Sequence, residues 1–454
     1  MSILRWVRST TRVRDDGWRV RPRHRRFERA AGLLSAGALL GGAIAGTGGL
    51  ALAAQASPST LTIGVIAPFT GSQAQLGPII GAPCSAAVHL INAHGGVLGH
   101  DLTCQQIDDY GDAADAVPNV SKALATNGSI VAVSGIDSNV AATVVPIVNN
   151  AKIPMFTSNG LAAFDTSTYP YFWRNTAPDL AGGAAMGLWA VQKHYKKIAL
   201  VFQNDVGDTG NQPGAVKALA AAHVAVTANL TITGDSPAYQ STITRIIAGH
   251  PDALMISTDE QTIGTLLSEY KTLNNGIVPP VITDTGIFDS AAFSAVKAAV
   301  NVKYLTSQVA FIGTYVNTAT PEFAAYAAAV ASSSKVKFPK VVVATGAVAS
   351  LFDGINVMAL AMEMAKSTKG PSFNKDILSI ATKRARAVVV HSYAQGVAAL
   401  KAGHQIQYVG VTGPITFNKY HNSPGEFAGF AFTASEASTT LGLIAPSKVA
   451  AVIK

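Results

Sequence analysis

The stretch INAHGGVLGHDL (91–102) decides how this sequence is interpreted. An apolar run typical of a helix leads into it, and the alternating segment LTCQQI (102–107) and the acidic segment DDYGD (108–112) follow it. Paired glycines let a chain reverse sharply, and aspartate is a preferred residue at the start of a helix. The stretch therefore predicts a helix, a tight turn and a strand, with aspartates opening a second helix.

Cys84 and Cys104 are the only cysteines of the chain, and they lie on either side of this turn. Cys84 falls on the apolar face of the first helix, at helical spacing from Ile80 and Ile91, whereas Cys104 falls on the strand. A tight turn joins helix and strand, so the two sulfurs can meet, and an oxidising compartment permits a disulfide. The alternative is two small buried apolar side chains.

The same alternation of strand and helix extends along the chain. Strand-like segments occur at LTIGVIA (61–67), SIVAVSG (129–135), KIPMFTS (152–158), KIALVFQ (197–203), VTANLTI (226–232), DALMIS (252–257), PVITD (280–284), VKYLTSQVAF (302–311) and GPITFN (413–418). Helices are expected between them, and longer ones at about 321–333, 346–366 and 373–384. Such alternation predicts an α/β fold with parallel sheets that carry helices on both faces.

The alternation stops once, at YPYFWRNTAPD (169–179), and then restarts. We interpret this segment as a crossing between two similar halves, with Trp173 and Arg174 in structural roles there. A chain of 454 residues is also too long for one ordinary core. The expected fold is therefore two doubly wound parallel-sheet lobes.

The basic charge of the protein lies almost entirely in its first residues. The formal net charge is +8, and residues 1–29 hold ten arginines against three acidic side chains. The remainder carries 24 basic and 23 acidic side chains, so a surface for nucleic acid is not expected. Apolar residues make up 48% of the chain, which excludes a disordered protein.

An export signal explains the basic segment. The arginines precede an apolar run of small residues that ends in ALA (51–53) and AQA (54–56), and we assign residues 1–56 to a signal peptide. The alternative is a retained membrane anchor, because the run is long enough to span a bilayer. No cysteine precedes Cys84, so a lipoprotein is not expected. We also expect no later segment to be continuous and apolar enough to span a membrane.

Polar loops follow the predicted strands in both halves. They are APFTGSQAQLG (67–77), SGIDSN (134–139), TSNG (157–160), QNDVGDTG (203–210), STDEQ (257–261) and TDTG (283–286). Ligands of open α/β sheets bind at the carboxyl ends of the strands, so six such loops in register predict a binding cleft. Each loop taken alone is explained as a helix cap or a turn.

Through these segments the sequence resembles the type I periplasmic substrate-binding proteins of the branched-chain amino acid ABC-transporter group. The resemblance is carried by IGVIAPFTGSQAQLG (63–77), INAHGGVLGHDL (91–102), DDYGDAADAV (108–117), PIVNNAKIPMFTSNG (146–160), YPYFWRN (169–175) and PDALMIS (251–257). It implies a type I fold in which three crossings form a hinge, and the lobes close on a small ligand. Lobe one would comprise 61–177 plus 311–412, and lobe two 178–310 plus 413–454.

The resemblance also implies a set of ligand-binding positions. They are Leu76, Ser138, Asn139, Asn159, Gly160, Leu161, Asp205, Asp259, Glu260, Asp284 and Thr285. Hydroxyls and main-chain amides at Ser138, Asn139 and Asn159–Leu161 would hold a ligand carboxylate. The acids would meet a cation or hydroxyl groups, since an unpaired buried charge is costly.

Several of these positions depart from the family pattern. Leu161 stands where the family has a threonine, and Gly207 stands where it has an aromatic residue. Asp259-Glu260 replaces a tyrosine of the family. Thr285, the residue after Asp284, aligns with the acid that usually meets the ligand ammonium, and Leu76 aligns with an aromatic residue of the pocket wall. The resemblance therefore predicts the type of protein but leaves amino-acid specificity open.

We expect an exported solute receptor, which is periplasmic, on the cell envelope or extracellular, and which acts as a monomer. It would capture an amino acid or a related polar compound and deliver it to an ABC permease. The alternative is a sensor of the same fold, anchored by its N-terminal helix and signalling to a partner. The sequence has no HExxH, GxSxG, Walker or EF-hand motif, so we expect no enzyme activity, no cofactor and no metal.

Overall fold

The glycine turn at 91–102 has the geometry that its sequence predicts. In a computed structural model of the protein, which describes residues 60–71, 73–333 and 345–454, Gly96 has φ +66°. A Cβ built there would lie 2.1 Å from the carbonyl oxygen of His100, so only glycine fits without a shift. The side chain of Asn92 then bonds both the N–H and the carbonyl of Leu102, at 2.8 and 2.9 Å. These bonds fix the end of the helix to the start of the next strand.

A five-stranded parallel sheet follows from the first half of the chain. Its strands are β1 Leu61–Ala67, β2 Leu102–Asp108, β3 Ile130–Gly135, β4 Met155–Thr157 and β5 Phe172–Arg174, in the order β2-β1-β3-β4-β5. The helices between them are α1 Leu76–Asn92, α2 Ala113–Thr126 and α3 Ser138–Asn150. Asp112 caps α2 by accepting from the N–H of Ala114 and Asp115, as predicted for the acidic segment. We call the part of the molecule built on this sheet lobe one.

A seven-stranded sheet forms the centre of the other part, lobe two. Its strands are β6 Lys197–Gln203, β7 Ala225–Ile232, β8 Ala253–Ser257, β9 Val281–Asp284, β10 Val309–Thr314, β14 Phe427–Phe432 and β15 Ser438–Ile444, in the order β15-β14-β10-β9-β8-β6-β7. Its helices are α4 Asp179–Gln192, α5 Val206–Ala221, α6 Gln240–Ala248, α7 Glu260–Leu273, α8 Ser290–Ala299, α9 Val302–Gln308 and α14 Pro446–Ile453. Both β14 pairings are antiparallel, and the other pairings of this sheet are parallel.

Lobe one is completed by segments from late in the chain. These are α10 Pro321–Ser333, α11 Gly346–Ala365, α12 Gly370–Ala381, α13 Tyr393–Lys401 and the small sheet of β11 Val388–Val390, β12 Ile406–Gly410 and β13 Gly413–Pro414. The buried cores divide accordingly. Two apolar clusters draw on 61–173 and 316–415, and two others draw on 181–312 and 427–449.

The chain crosses between the lobes three times, and the crossings lie side by side. The N–H of Tyr315 donates to the carbonyl of Glu426 at 2.7 Å, and the N–H of Ser423 donates to the carbonyl of Arg174 at 2.9 Å. A Cβ built on Gly425 would lie 3.2 Å from Thr314 and 3.5 Å from Ala177. All three crossings therefore meet in one narrow hinge, as the type I fold requires.

The buried side chains of the first crossing have the structural roles that the sequence predicts. The indole of Trp173 stacks on the imidazole of His421, with ring centroids 3.8 Å apart. The guanidinium of Arg174 donates to Asn422 at 2.9 Å and pairs with Asp165. The first and third crossings are held together by these contacts.

The structure corrects three expectations. The segment 302–311, expected as one strand, is the helix α9 followed by β10, because Leu305 alone turns into the core and the polar positions are exposed at helical spacing. Lobe two is not purely parallel, since the hairpin of β14 and β15, absent from the expected strands, adds antiparallel pairing at its edge. α11 is long and apolar enough to span a membrane, but most of it is buried in the core of lobe one.

Cys84 and Cys104 form a disulfide, with their Cα atoms 6.1 Å apart. Cys84 is completely buried on the α1 face that packs on β2, as the helical spacing predicts. The alternative of two separate buried thiols is therefore wrong. The predicted signal peptide, residues 1–56, lies outside the described residues.

Candidate functional site

The carboxyl ends of the two sheets face each other where the two lobes meet, and we call this interface the cleft. Ser138 begins α3 directly after β3, and its Cβ lies 4.0 Å from the position that a Cβ on Gly207 of α5 would take. Gly160 follows β4, and its carbonyl accepts from the N–H of Asp179, the first residue of α4, at 2.8 Å. Loops at strand ends and helix N-termini from both lobes thus meet where ligands of α/β sheets bind.

On the side of lobe one, the predicted carboxylate-binding donors already have acceptors within the protein. The N–H of Asn139 donates to Asp137 at 2.8 Å, and the N–H of Gly160 donates to the hydroxyl of Ser138 at 3.4 Å. The side-chain amide of Asn139 donates to Gln73 at 2.9 Å. Ser138, Asn139 and Gly160 therefore lie together as predicted, but the N-terminus of α3 is capped by a carboxylate of its own chain.

Asn159 has the most unusual environment of the predicted residues. Its side chain is completely buried, and neither its amide nitrogen nor its amide oxygen has a hydrogen-bond partner. Buried amides are normally paired, so the environment of Asn159 is exceptional among the predicted residues. By contrast, the side chain of Leu161 belongs to the apolar core of lobe one, and Leu76 packs against that core at the start of α1.

On the side of lobe two, carboxylates gather at the ends of β6, β8 and β9. Asp205 caps α5 by accepting from the N–H of Asp208 at 2.9 Å. The hydroxyl of Ser257 lies 2.7 Å from Asp208 Oδ1 and 2.6 Å from Asp284 Oδ2. A serine hydroxyl carries one proton and satisfies only one ionised acceptor, so one of the two carboxyl groups must itself donate. The geometry therefore requires a protonated carboxyl group in this cluster.

The electrostatics of these groups agree with that requirement. Loss of hydration raises the pKa of Asp208 well above its usual range, and the carboxylates of Asp284 and Asp205 raise it further. Loss of hydration also raises the pKa of Asp284, although hydrogen bonds from Ser257 and Gly286 oppose the change.

Asp179 adds a further carboxylate next to this cluster. Loss of hydration raises the pKa of Asp179 to about 7, and the attraction of Arg174 only partly offsets this. Its Oδ2 atom is buried without a partner, and a Cβ built on Gly210 of α5 would lie 2.5 Å from that atom. Asp179 therefore points towards α5, the helix that carries Asp208.

The remaining predicted residues make other contacts. Asp259 caps α7, where its two carboxylate oxygens accept from the N–H and the hydroxyl of Thr262 at 2.7 and 3.0 Å. Loss of hydration and the neighbouring Asp289 raise the pKa of Glu260 to about 7. Thr285 lines a separate cavity of about 230 Å³ together with Phe288 and Phe430. The structure thus brings Asp205 and Asp284 together, whereas both carboxylate oxygens of Asp259 are bound to Thr262.

Sequence reasoning did not select Asp179, Asp208 and Ser257. Asp208 and Ser257 lie within the polar loops 203–210 and 257–261, so the loop pattern contained them without distinguishing them from caps. Asp179 ends the crossing at 169–179, and no local pattern connects it with α5. In the part of the chain that the structure describes, no group of three or more His, Cys, Asp or Glu side chains is arranged to hold a metal ion.

Comparison with known proteins identifies the family. The model of the family described as periplasmic binding protein matches residues 60–436, which is most of the chain. The protein therefore belongs to the periplasmic binding protein family. No curated protein matches the chain in sequence.

Solved structures of this fold are similar over most of the chain. The branched-chain amino acid transporter substrate binding protein LivJ from Streptococcus pneumoniae, in complex with isoleucine, has a TM-score of 0.65 at 19% identity and covers 84% of this chain and 99% of its own. An ABC-transporter solute binding protein from R. palustris, in complex with benzoate, has a TM-score of 0.65 at 18% identity and covers 85% of this chain and 96% of its own. A fatty acid ABC transporter substrate-binding protein from Thermomonospora curvata has a TM-score of 0.67 at 16% identity and covers 86% of this chain and 94% of its own.

These findings confirm the resemblance and the fold class inferred from the sequence. Isoleucine, benzoate and fatty acids, the compounds named for these three proteins, differ in charge, size and polarity, so the shared fold does not specify a ligand. Membership of a family of periplasmic binding proteins implies export from the cytoplasm.

Proposed function

We propose that this protein is an extracytoplasmic solute-binding protein that captures a small polar ligand between its lobes and delivers it to an ABC permease. The observation that carries the proposal is the meeting of Ser138 with Gly207 and of Gly160 with Asp179, at the carboxyl ends of two opposed sheets. A ligand held there contacts both lobes at once, so binding stabilises the closed arrangement.

The lobes are proposed to be 61–177 plus 311–412 and 178–310 plus 413–454. Membership of the two sheets and cores supports this division. Pairing of β10 with β9 and β14 supports placing the second boundary a few residues later than 311. The hydrogen bonds between the crossings support placing the third boundary, where the chain leaves lobe one for the last time, near Ser423.

The proposed ligand positions are those that the sequence predicts. Ser138, Asn139, Asn159 and Gly160 approach from lobe one, and Asp205 and Asp284 approach from lobe two. We propose a monomer that makes and breaks no covalent bond of its ligand. Residues 1–56 are proposed as a cleaved signal, and the comparisons do not favour an anchored sensor.

A thermal-shift screen tests the proposal. The panel contains branched-chain amino acids, amides, diamines, short carboxylates and aromatic acids. A ligand at a hundred times its Kd adds about 2.7 kcal/mol of stability, which gives a clear rise in Tm. We expect one chemical class to raise Tm, and mass spectrometry should recover that compound unaltered. A ligand that is chemically converted, or a folded protein that responds to none of these classes, would contradict the proposed function.

A further inference from the structure

The acidic segment DDYGD (108–112), which we call the acidic turn, does more than open α2. Its first residue, Asp108, ends β2, and its carboxylate binds the loop between β1 and α1. It accepts from the N–H of Phe69 at 2.9 Å, and from the N–H and the hydroxyl of Thr70 at 3.2 and 2.5 Å. Asp108 therefore attaches the β1–α1 loop to the end of β2.

The electrostatics of Asp108 show that these bonds are made to its charged form. Loss of hydration raises the pKa of Asp108, but hydrogen bonds from Thr70, Tyr110 and Phe69 lower it by more, so the pKa lies below its usual value. Hydrogen bonds to an ionised carboxylate are stronger than bonds between neutral groups. The β1–α1 loop is therefore held by a charged acceptor at neutral pH.

The β1–α1 loop and the acidic turn also fit closely against each other. Gly71 has φ +91°, and a Cβ built there would lie 2.6 Å from the carbonyl oxygen of Tyr110. A Cβ built on Gly111 would lie 2.9 Å from the Oε1 atom of Gln73. Neither glycine can be replaced by a larger residue without a shift of the other segment. The acidic turn therefore determines where Gln73 lies.

Gln73 connects this loop to the cleft. Its Oε1 atom accepts from the side-chain amide of Asn139 at 2.9 Å. Asn139 is the second residue of α3, and the Cβ of its neighbour Ser138 lies 4.0 Å from a Cβ built on Gly207, where the lobes meet. The orientation of the Asn139 side chain at the cleft therefore depends on the position of Gln73.

We propose that Asp108 is a positioning residue of the binding site, which sets the orientation of the Asn139 side chain through the β1–α1 loop and Gln73. The inference rests on the proposed function, because that function makes Asn139 a ligand position. The acidic turn then helps to select the ligand group that meets Asn139, although Asp108 is not itself a ligand position. A role in stability alone would give Asp108 no influence on that side chain.

The test follows the side-chain amide of Asn139 by nuclear magnetic resonance in ligand-free protein that carries isotope-labelled asparagine. Asn139→Asp identifies the signal, because this variant lacks the amide. Gln73→Met removes the amide acceptor but keeps an unbranched side chain, and we expect it to shift the signal. Asp108→Ala should shift the signal in the same direction. In the Gln73→Met background, Asp108→Ala should add little further shift.

A conservative variant and a mild variant complete the series. Asp108→Asn should leave the Asn139 signal near its wild-type position, because the amide oxygen still accepts from the N–H of Phe69. Thr70→Val replaces an exposed residue and removes one bond to Asp108, so it should give a smaller shift in the same direction. It tests the inference even if Asp108→Ala does not fold.

The matched control is Asp112→Ala, in the same acidic turn. Asp112 accepts from two N–H groups at the start of α2, so its loss destabilises lobe one without removing a bond to the β1–α1 loop. We expect a lower Tm and an unchanged Asn139 signal. This control separates positioning of Asn139 from a general loss of stability.

Three results would each overturn the inference. The first is a wild-type Asn139 signal in folded Asp108→Ala or in Thr70→Val. The second is an equal shift in Asp112→Ala, because loosening of lobe one would then explain the effect. The third is a full additional shift when Asp108→Ala is combined with Gln73→Met, since the coupling would not pass through Gln73. None of these results depends on which compound binds, so failure of the proposed function in the thermal-shift screen is a separate outcome.

Discussion

Asp353 shows how one buried carboxylate positions a segment next to the hinge. It lies on α11, is completely buried and accepts from Tyr408 Oη at 2.9 Å, from the N–H of Val411 at 3.0 Å and from the N–H of Thr412 at 2.8 Å. The hydroxyl of Thr412 also donates to it, at 2.6 Å. The four bonds fix the turn between β12 and β13 to the core of lobe one.

Asp353→Ala should destabilise the protein by about 3 kcal/mol, because it leaves several buried donors without an acceptor. Urea denaturation measures the change, with the exposed Asp235→Asn as the control, which should lie within about 0.5 kcal/mol of the wild type because asparagine tolerates the φ of +52° at this position. Equal destabilisation by the two variants would show that the Asp353 bonds do not stabilise the fold.

Asp179 should make the stability of the ligand-free protein depend on pH. Its pKa is raised from 3.8 to about 7, so the fold favours the protonated form. The stability that protonated Asp179 contributes to the fold is fully present below the pKa of this group in the unfolded chain. It is lost as pH rises through the pKa of the group in the folded protein. Between about pH 5 and about pH 8 the free energy of unfolding of the wild type should fall by about 3 kcal/mol, and Asp179→Asn should not show this loss.

Urea denaturation of both proteins at the two pH values measures this difference, with Asp235→Asn as the control for removal of an exposed carboxylate. Parallel pH profiles of the wild type and Asp179→Asn would mean that Asp179 is ionised throughout and that its burial does not raise its pKa.

At the residue scale, the sequence predicts which residues lie near the cleft better than it predicts which side chains they contact. Ser138, Asp205 and Asp284 could be selected because each follows a predicted strand, where chains of this fold bind ligands. The roles of Asp179 and Ser257 could not, since they depend on contacts between α4, α5 and β8 that no local pattern encodes. Leu161 was selected by alignment, but its apolar side chain is better buried and turns into the core.

At the scale of elements, the disulfide joins α1 to β2 and closes a loop of 20 residues. Replacing both Cys84 and Cys104 with serine should lower stability by about 3 kcal/mol, because the unfolded chain regains the entropy of that loop. Guanidinium denaturation of the double variant and of the wild type, with and without reductant, measures the change. If reductant lowers the stability of both proteins equally, the bond contributes nothing to the fold.

The elements predicted from the sequence are those with strong periodicity or special turn residues. The glycine turn at 91–102, the strands β1, β3, β6 and β8 and the helix α11 follow this rule. Strands β14 and β15 were missed because FAGFAF (427–432) and STTLGLI (438–444) lie beyond the last clear α/β unit. The β-branched and aromatic residues of segment 302–311 favour one strand, whereas packing of Leu305 selects a helix over its first part.

At the scale of the whole molecule, the three crossings determine what the cleft can do. They are bonded to each other at Tyr315, Glu426 and Ser423, while each sheet has its own apolar core. Motion concentrated at such a hinge changes the width of the cleft without disturbing either core. Two lobes were predictable from the restart of the strand–helix pattern after 169–179, but the exact crossings were not, since they depend on pairing between distant segments.

The central claim is that the cleft between Ser138 and Gly207 holds the ligand, whatever the chemistry of that ligand. Gly207→Trp tests it directly, because a Cβ at position 207 meets only ordinary contacts, at 3.6 Å from Asp205 and 4.0 Å from Ser138, whereas an indole would fill the space between the lobes. The measurement is isothermal titration of wild type and variant with the compound that raises Tm. We predict one site in the wild type and loss of binding in a variant of unchanged Tm. Wild-type affinity in Gly207→Trp would contradict a binding site in the cleft.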